Sequence, residues 1–117
     1  MKEIKTIQQK LREFAAERDW DQYHSPKNLA SALSVEAAEL LEIFQWLTEA
    51  ESKNIINNAD DKQRVSEEIA DIFLYLLRLA DKMDIDLIEA ANNKISLNAQ
   101  KYPISKAKGN AKKYNRN

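Results

Sequence analysis

The sequence predicts an all-α protein, and its composition and its patterning both indicate that fold class. With one glycine and two prolines among 117 residues, the chain has few residues suited to sharp turns, so helices must dominate. Apolar residues recur along most of the chain at the three- and four-residue spacing of amphipathic helices. A chain of this length supports one core, so we expect a single domain over residues 1–117 with a helical bundle over about residues 1–103.

The first helix is predicted from apolar residues that begin at Ile4 and follow helical spacing. Leu11 and Phe14 continue the same face. The pattern stops near Arg18, where the polar stretch 19–24 follows, so we expect the helix to end there.

The second helix has a start signal in Ser25 and Pro26. A serine at the N-cap accepts a hydrogen bond from the first turn, and the fixed backbone angle of proline suits the next position. The apolar periodicity then continues to about Ala50. This predicted helix carries Glu36 and Glu39.

The third helix follows a polar connection that contains two candidates for its N-cap, Asp60 and Asp61. The periodic pattern runs from there to about Lys82. Most faces of this helix are apolar, so the acids Glu68 and Asp71 stand out within it.

The fourth helix begins at Asp86, because Asp86 and Glu89 have the spacing of a capping box. Its apolar face continues to about Tyr102, and Pro103 ends it. Four helices with short connections predict a four-helix bundle. Residues 104–117 are too polar to fold alone, and they predict an extended, basic C-terminal tail.

The charges and the missing cysteines exclude several functions. The 18 basic and 19 acidic residues nearly cancel, so we expect no stable nucleic-acid complex. The absence of cysteine excludes disulfides and thiolate metal sites and is typical of a reducing cytoplasm. No apolar run is long enough to cross a bilayer. We therefore expect a cytoplasmic protein that does not contact membranes.

Two pairs of acids lie in the most apolar parts of the second and third helices. Glu36 and Glu39 form one pair, and Glu68 and Asp71 the other, each with a spacing that places both acids on one helix face. Four facing carboxylates repel one another and lose hydration, so a protein that keeps them usually supplies cations. Magnesium takes carboxylate oxygens and leaves positions for water and phosphate. The sequence predicts a Mg²⁺ site at these acids, in which Mn²⁺ can substitute.

Two other interpretations of the acids compete with the magnesium site. A single Glu-x-x-Glu pair is more often a solvated helix face, because 32% of the residues are charged. A di-iron bundle needs Glu-x-x-His pairs, and the only histidine, His24, lies in a predicted loop. The di-iron interpretation is therefore excluded.

Aromatic and basic residues extend the predicted site. Trp46 and Tyr75 continue the stripes of the acids on their helices, so acids and aromatics are expected to converge on one cleft. Spacing alone leaves Trp20 and Trp46 open between core positions and platforms for a base. Lys94 and Asn98 follow helical spacing on the fourth helix, and beside a magnesium site they indicate a clamp for a triphosphate.

These residues make the sequence similar to a known family. The strings Glu36-Ala-Ala-Glu39 and Glu68-Ile-Ala-Asp71 resemble the acid motifs of the MazG-like all-α nucleoside triphosphate pyrophosphohydrolases. Further strings resemble the dCTP pyrophosphatase branch of that family, namely Phe14-Ala-Ala-Glu-Arg-Asp-Trp20, His24-Ser-Pro-Lys-Asn-Leu29, Phe44-Gln-Trp46, Lys101-Tyr-Pro103 and Lys113-Tyr114. The resemblance covers nearly the whole chain.

The resemblance implies magnesium-dependent hydrolysis of dCTP or a modified dCTP to the monophosphate and pyrophosphate, which clears unwanted nucleotides from the pool. It implies that four acids hold the metal and act in catalysis, namely Glu36, Glu39, Glu68 and Asp71. It implies substrate contacts from Trp20, Trp46, Tyr75, Lys94 and Asn98, and a homodimer or homotetramer. Leu11 departs from the branch, because a histidine that packs against the base is expected there, and the preference for cytosine is left open.

Two other functions stay open from the sequence alone. The same chemistry on another triphosphate such as dUTP needs only a different pocket. A non-catalytic helical adaptor would bind a basic partner through the acidic and aromatic face. The adaptor explains the amphipathic helices but not the acids in their most apolar stretches.

Overall fold

The computed structural model describes residues 1–113, and within them all regular structure is helical. The predicted all-α class is confirmed. The helices are α1 (Lys2–Glu17), α2 (Pro26–Phe44), α3 (Glu49–Asn54), α4 (Ala59–Lys82), α5 (Leu87–Lys101) and α6 (Ile104–Ala107). Two 3₁₀ turns cover Asp21–Tyr23 and Ile55–Asn57. The four longer helices lie where the sequence predicts helices.

The chain divides into two compact units, with the boundary between Asp84 and Ile85. In the first unit α1 and α2 both pack against α4, which makes α4 the central helix of that unit. The second unit contains α5 and α6. No helix within residues 1–113 has the length and apolar character that a membrane span requires. A single domain over the whole chain stays a prediction.

Polar side chains fix α1 onto α4 at the edge of a small core. Gln8 Nε2 donates a hydrogen bond to the Leu77 carbonyl oxygen at 3.1 Å. One turn further along, Arg12 donates two hydrogen bonds to the Asp81 carboxylate, at 2.7 and 2.5 Å. The apolar residues that are fully buried among those described are few: Ala15, Leu29, Leu77 and Ala80. The paired fork between Arg12 and Asp81 therefore helps to set the register of α1 on α4.

The second helix ends earlier than predicted. It stops at Phe44, so the prediction of a helix to about Ala50 is wrong. A separate helix, α3, starts at Thr48, whose Oγ1 accepts a hydrogen bond from the Glu51 backbone N–H at 3.1 Å. Glu51 Oε1 in return accepts one from the Thr48 N–H at 2.9 Å, which completes a capping box. The Thr-x-x-Glu spacing is the sequence signal that indicates this new start.

The N-cap of α4 also differs from the prediction. Asn58 caps the helix through its Oδ1, which accepts from the Asp61 N–H at 3.0 Å, so neither Asp60 nor Asp61 is the N-cap. Both aspartates lie in the first turn instead, where negative charge complements the helix dipole. The predicted N-cap of α5 is confirmed, since Asp86 accepts from the Glu89 N–H at 3.0 Å.

The C-terminal segment is partly helical. The prediction of an extended tail is wrong for Ile104–Ala107, which form α6 directly after Pro103. Proline suits this position because it precedes the first helical turn and its backbone angle is fixed. Tyr114 and the rest of the predicted tail beyond residue 113 lie outside the described residues.

Asp81→Asn is expected to lower the free energy of unfolding by about 1 kcal/mol at neutral pH, because it removes an acceptor of the charged Arg12 fork. The hydrogen bonds from Arg12 hold the pKa of the Asp81 carboxyl below its usual 3.8. Because the pKa of Asp81 is lower in the folded state than in the unfolded state, ionised Asp81 stabilises the fold at pH values above the usual pKa. This stabilisation is lost as the pH falls through the lowered pKa of the folded state.

Thermal unfolding of both proteins from about pH 7 to about pH 2 tests this prediction. We expect a gap in Tm at neutral pH that narrows in acid. A gap that is absent at neutral pH, or that persists unchanged in acid, would contradict it. Glu42→Gln is the control, because Glu42 is exposed on α2.

Candidate functional site

The predicted acid pairs meet where α2 packs against α4. Glu36 and Glu39 lie one turn apart on α2, and Glu68 lies on α4. One carboxylate oxygen of each lies within 4.8 Å of the other two, and we call these three residues the acid cluster. Like charges at this distance repel, so the arrangement favours a bound cation or a shared proton.

Two oxygens of the acid cluster are cut off from water. Glu36 Oε2 and Glu68 Oε2 are buried, and neither accepts a hydrogen bond from a described residue. Burial first, and then the closeness of Glu39 and Glu68, raises the pKa of Glu36 to about 7. Burial is also the main cause that raises the pKa of Glu68. Buried acceptors without a donor cost free energy, so the cluster is arranged for a ligand that these side chains do not supply.

The donor set of the acid cluster fits a hard divalent cation. All its donors are carboxylate oxygens, which Mg²⁺ and Mn²⁺ prefer, and the buried oxygens of Glu36 and Glu68 are available to coordinate. Glu39 is exposed, so one side of the cluster is open to water and to a ligand. Magnesium usually keeps such positions for water and phosphate oxygens. The residues therefore fit the predicted metal, and its identity stays a prediction.

Asp71, the fourth predicted acid, lies one turn beyond Glu68 on α4. It does not belong to the group of three oxygens within 4.8 Å. Its charge nevertheless contributes to the raised pKa of Glu36, and Asp71 also lines a neighbouring pocket. Asp71 thus joins the acid cluster to that pocket.

An open pocket of about 450 Å³ lies beside Asp71 in the first unit. Two further predicted site residues, Trp20 and Tyr75, line it together with Asp71. Other residues also line this pocket, and they are outside the set of predicted substrate contacts. They include Leu11, Phe14, His24, Leu74 and Arg78. An apolar and aromatic lining with a few polar groups is typical of a small-molecule site. We call this the aromatic pocket.

Trp20 is positioned by the turn that ends α1. Asp19 adopts a left-handed backbone conformation, with φ of 54°, and the Trp20 N–H then donates to the Ala15 carbonyl oxygen at 2.8 Å. The Trp20 ring meets Phe14 edge to face, with the ring centroids 5.7 Å apart. The guanidinium of Arg18 lies over the Phe14 ring, 3.6 Å from the centroid of that ring. Trp20 is held in place with 45% of its surface exposed, so it is available to stack on a planar ligand.

A buried arginine in the pocket wall, Arg78, is the main feature of the site that is absent from the site residues predicted from the sequence. Arg78 is only 6% exposed, and its Nη2 donates to Asp21 Oδ1 at 2.6 Å. Lys82 Nζ donates to the same oxygen at 2.6 Å. Arg78 Nε donates to His24 Nδ1 at 3.3 Å. An arginine within the apolar run 69–80 is the signal in the sequence that points to a buried cation with partners.

The remaining predicted substrate residues lie elsewhere. Trp46 follows the end of α2, is 87% exposed and does not line the aromatic pocket. Because α2 ends at Phe44, the predicted helical stripe from Glu36 to Trp46 is wrong. Lys94 and Asn98 lie one turn apart on α5 of the second unit, and both are exposed. Substrate contacts from all three residues stay predictions.

Comparison with known proteins gives both family and structural matches. A family model described as the MazG-like family matches residues 31–116. Rat dCTP pyrophosphatase 1 is 42% identical over 102 residues, and human dCTP pyrophosphatase 1 is 40% identical over 102 residues. These matches cover 87% of this chain, and the chain spans only 60% of the length of these curated relatives.

A solved structure is similar over most of its own length. The crystal structure of a pyrophosphatase from Archaeoglobus fulgidus aligns with a TM-score of 0.80 at 45% sequence identity. The alignment covers 86% of this chain and 93% of that chain. At 45% identity the match supports the helical fold and also indicates that the two proteins are related.

Mg²⁺ or Mn²⁺ is expected to raise the Tm of the protein, because a cation that binds only the folded state stabilises it. Glu36→Gln and Glu68→Gln are expected to raise the Tm measured in chelator, since each removes a charge from a repelling cluster. The same substitutions are expected to remove most of the rise caused by the metal. Differential scanning fluorimetry across a metal titration measures both effects.

Glu42→Gln is the matched control, because Glu42 is an exposed acid on α2 outside the acid cluster. It should respond to metal as the wild type does. A wild-type metal response in Glu36→Gln and in Glu68→Gln would show that the cation binds somewhere else.

Proposed function

The chain belongs to the MazG-like family, and on that premise we propose that it hydrolyses a nucleoside triphosphate to the monophosphate and pyrophosphate. The observation that carries the proposal is the acid cluster beside the aromatic pocket, with Asp71 between them. Such a site has a place for the phosphates and a separate place for the base. The relatives are named dCTP pyrophosphatases, so dCTP or a modified dCTP is the substrate that we propose.

The proposed reaction breaks the bridge between the α and β phosphates. A water oxygen attacks the α phosphorus, the bond from that phosphorus to the bridging oxygen breaks, and pyrophosphate leaves with the electron pair. A divalent cation held by Glu36, Glu39, Glu68 and Asp71 supplies positive charge for the triphosphate and makes a nearby water more acidic. We assign the proton of the attacking water to Glu39, because it is the exposed member of the acid cluster.

The aromatic pocket is the proposed place of the nucleobase. Trp20 offers a ring face, and Tyr75 and Leu11 line the same pocket. Stacking of a base on an aromatic side chain contributes about 1–3 kcal/mol. Leu11 gives this wall an apolar surface instead of an imidazole, so dUTP or another pyrimidine triphosphate is the alternative substrate for the same chemistry. Trp46, Lys94 and Asn98 complete the proposal as further contacts to base, sugar and phosphates.

Self-association is part of the proposal, as a homodimer or homotetramer. Few side chains are fully buried, while large apolar side chains are exposed on the two helices that carry the acids. On α4, Ile69 and Phe73 are 53% and 38% exposed and lie on the same side of the helix, four residues apart. Burial of such a face by a second copy contributes favourable free energy. We place the proposed activity in the cytoplasm, where it clears unwanted nucleotides.

Pyrophosphate release from a panel of triphosphates tests the proposed reaction. The panel contains dCTP, 5-methyl-dCTP, dUTP, dTTP and dATP, each with Mg²⁺ and with chelator. We expect metal-dependent release with one pyrimidine preferred. In ¹⁸O-labelled water the label is expected in the monophosphate, because the water attacks the α phosphorus. Release of inorganic phosphate alone would contradict the proposed cleavage.

Glu39→Gln is expected to lower kcat by at least about a hundredfold, the usual contribution of a positioned proton acceptor. Its Tm should stay at or above the wild-type value, because the cluster loses a repelling charge. Glu42→Gln is again the matched control and should keep wild-type turnover. Wild-type turnover in Glu39→Gln would refute its assigned role, and no turnover of any triphosphate by the wild type would favour the adaptor.

The mass in solution tests the proposed self-association. Light scattering at micromolar concentration is expected to give a dimer or tetramer, and Phe73→Lys is expected to lower the mass, because it places a charge on the exposed apolar face. Glu67→Lys is a control on the same helix, at an exposed acidic position. A wild-type monomer would contradict the proposal.

A further inference from the structure

The aromatic pocket lies between two helices of the first unit. On α1 it is lined by Ile7, Leu11 and Phe14, which follow helical spacing and form one stripe of that helix. On α4 its lining includes Tyr75 and Arg78. The width of the pocket therefore depends on where α1 lies on α4, and its lining depends on which face α1 turns towards it.

A neighbouring stripe of α1 makes polar contacts with α4. Gln8, Arg12 and Ala15 follow the same spacing, one residue further along the chain than the lining stripe. Gln8 donates to the Leu77 carbonyl oxygen, one turn before the place where Arg12 donates to Asp81. Successive residues of a helix point about 100° apart, so contacts made by this stripe turn the lining stripe towards the pocket.

Apolar burial holds α1 only weakly. Within residues 1–113, α1 contributes one fully buried side chain, Ala15, which lies near the C-terminal end of the helix. Ile4, Ile7 and Leu11 are only half-buried. Since hydrophobic stabilisation grows with the apolar area removed from water, the polar contacts supply a large share of the attachment of this part of α1.

Asp81 connects the two walls of the pocket. Its carboxylate accepts the two hydrogen bonds of Arg12 at 2.7 and 2.5 Å, and one of its oxygens lies 3.8 Å from Nη1 of Arg78. Arg12 belongs to α1, whereas Arg78 lines the pocket from α4. A pair of parallel hydrogen bonds fixes direction as well as distance. The fork between Arg12 and Asp81 can therefore hold both the separation and the rotation of α1.

We infer that Arg12 and Asp81 are positioning residues for the nucleobase, because their fork holds α1 at the distance and rotation that the aromatic pocket requires. The inference rests on the proposed function and adds a pair that acts through the pocket wall. Both residues lie outside the lining of the pocket. The acid cluster lies between α2 and α4, so loss of the fork alters the place of the base and leaves the place of the phosphates intact.

Arg12→Gln tests the inference, because it removes the fork and leaves Asp81 beside Arg78. We expect the KM for dCTP to rise by about threefold, as for the loss of an exposed ion pair, while kcat stays at the wild-type value. A merely structural role would instead reduce the folded fraction, which lowers the apparent kcat and leaves KM unchanged. An unchanged KM in Arg12→Gln would overturn the inference.

Lys5→Gln is the matched control. Lys5 is an exposed cation on the same helix and lies outside the aromatic pocket, so its substitution makes the same change in net charge. It should keep the wild-type KM. A rise in KM as large as that of Arg12→Gln would show that charge alone is responsible and would overturn the inference.

A double-substitution cycle tests whether the two residues act through one contact. Asp81→Asn is expected to raise the KM for dCTP at least as much as Arg12→Gln, because Asp81 also lies near Arg78. If the fork carries the effect, the protein with both substitutions has the same KM as Asp81→Asn alone. Independent effects that multiply would overturn the inference.

Hydrogen exchange tests the attachment of α1 in the free protein. In Arg12→Gln the backbone amides of residues 5–12 are expected to exchange faster than in the wild type and in Lys5→Gln, because α1 leaves α4 more often. Amides of α3 serve as the internal reference, since α3 lies outside this contact. Equal exchange of residues 5–12 in the two variants would overturn the inference.

The same variants separate this inference from the proposed function. If the wild type hydrolyses dCTP but Arg12→Gln keeps its KM, the inference fails while the proposed function stands. If the wild type hydrolyses no triphosphate, the proposed function fails and calorimetry with dCMP decides the inference. Weaker binding of dCMP by Arg12→Gln than by Lys5→Gln supports it. Equal binding by the two variants, or no binding by the wild type, overturns it.

Discussion

Repulsion among the carboxylates between α2 and α4 is the constraint on which the rest of the first unit depends. The acid cluster has two buried oxygens that accept no hydrogen bond from residues 1–113, and the pKa of Glu36 is raised to about 7. An arrangement of this kind opposes folding, so other contacts must offset it. The packing of α1 and α2 on α4 and the Arg12 fork on Asp81 stabilise the same unit. The cost of the cluster is understandable if a cation completes it.

The parts of this site that can be predicted from the sequence are those that depend on the spacing of residues along one helix. The acid pairs follow from helical periodicity, because α2 and α4 run uninterrupted through Glu36, Glu39 and Glu68. The prediction that α2 continues to about Ala50 is wrong because apolar residues continue past Phe44, whereas the capping box at Thr48 decides where the next helix starts. The N-cap of α4 is also decided locally. Asn58 takes this position rather than Asp60 or Asp61 because its side chain reaches a free N–H group of the first turn.

The aromatic pocket could not be predicted in the same way, because tertiary contacts bring its residues together. Trp20 follows α1, Tyr75 lies on α4, and their meeting depends on how α1 packs against α4. The bond from Arg78 to His24 joins positions separated by 54 residues, and no periodic pattern describes it. The resemblance to a family implies a substrate contact from Trp20, which spacing alone leaves open, whereas spacing already predicts that Tyr75 lies beside the acids. It gave no role to Arg78, whose importance follows from its burial and its partners.

The charges along α4 support the proposed placement of a nucleotide along this helix. Its middle carries the acids Glu68 and Asp71, and a buried oxygen of Glu68 accepts no hydrogen bond from the described residues. Its C-terminal half carries Arg78, which bonds to Asp21 at 2.6 Å and lies 3.8 Å from an oxygen of Asp81. A buried arginine that is already bonded to carboxylates competes weakly for a phosphate. The aromatic pocket beside Arg78 is then free for a neutral, planar group, so in the proposed site the base lies at this pocket and the phosphates lie at the acids.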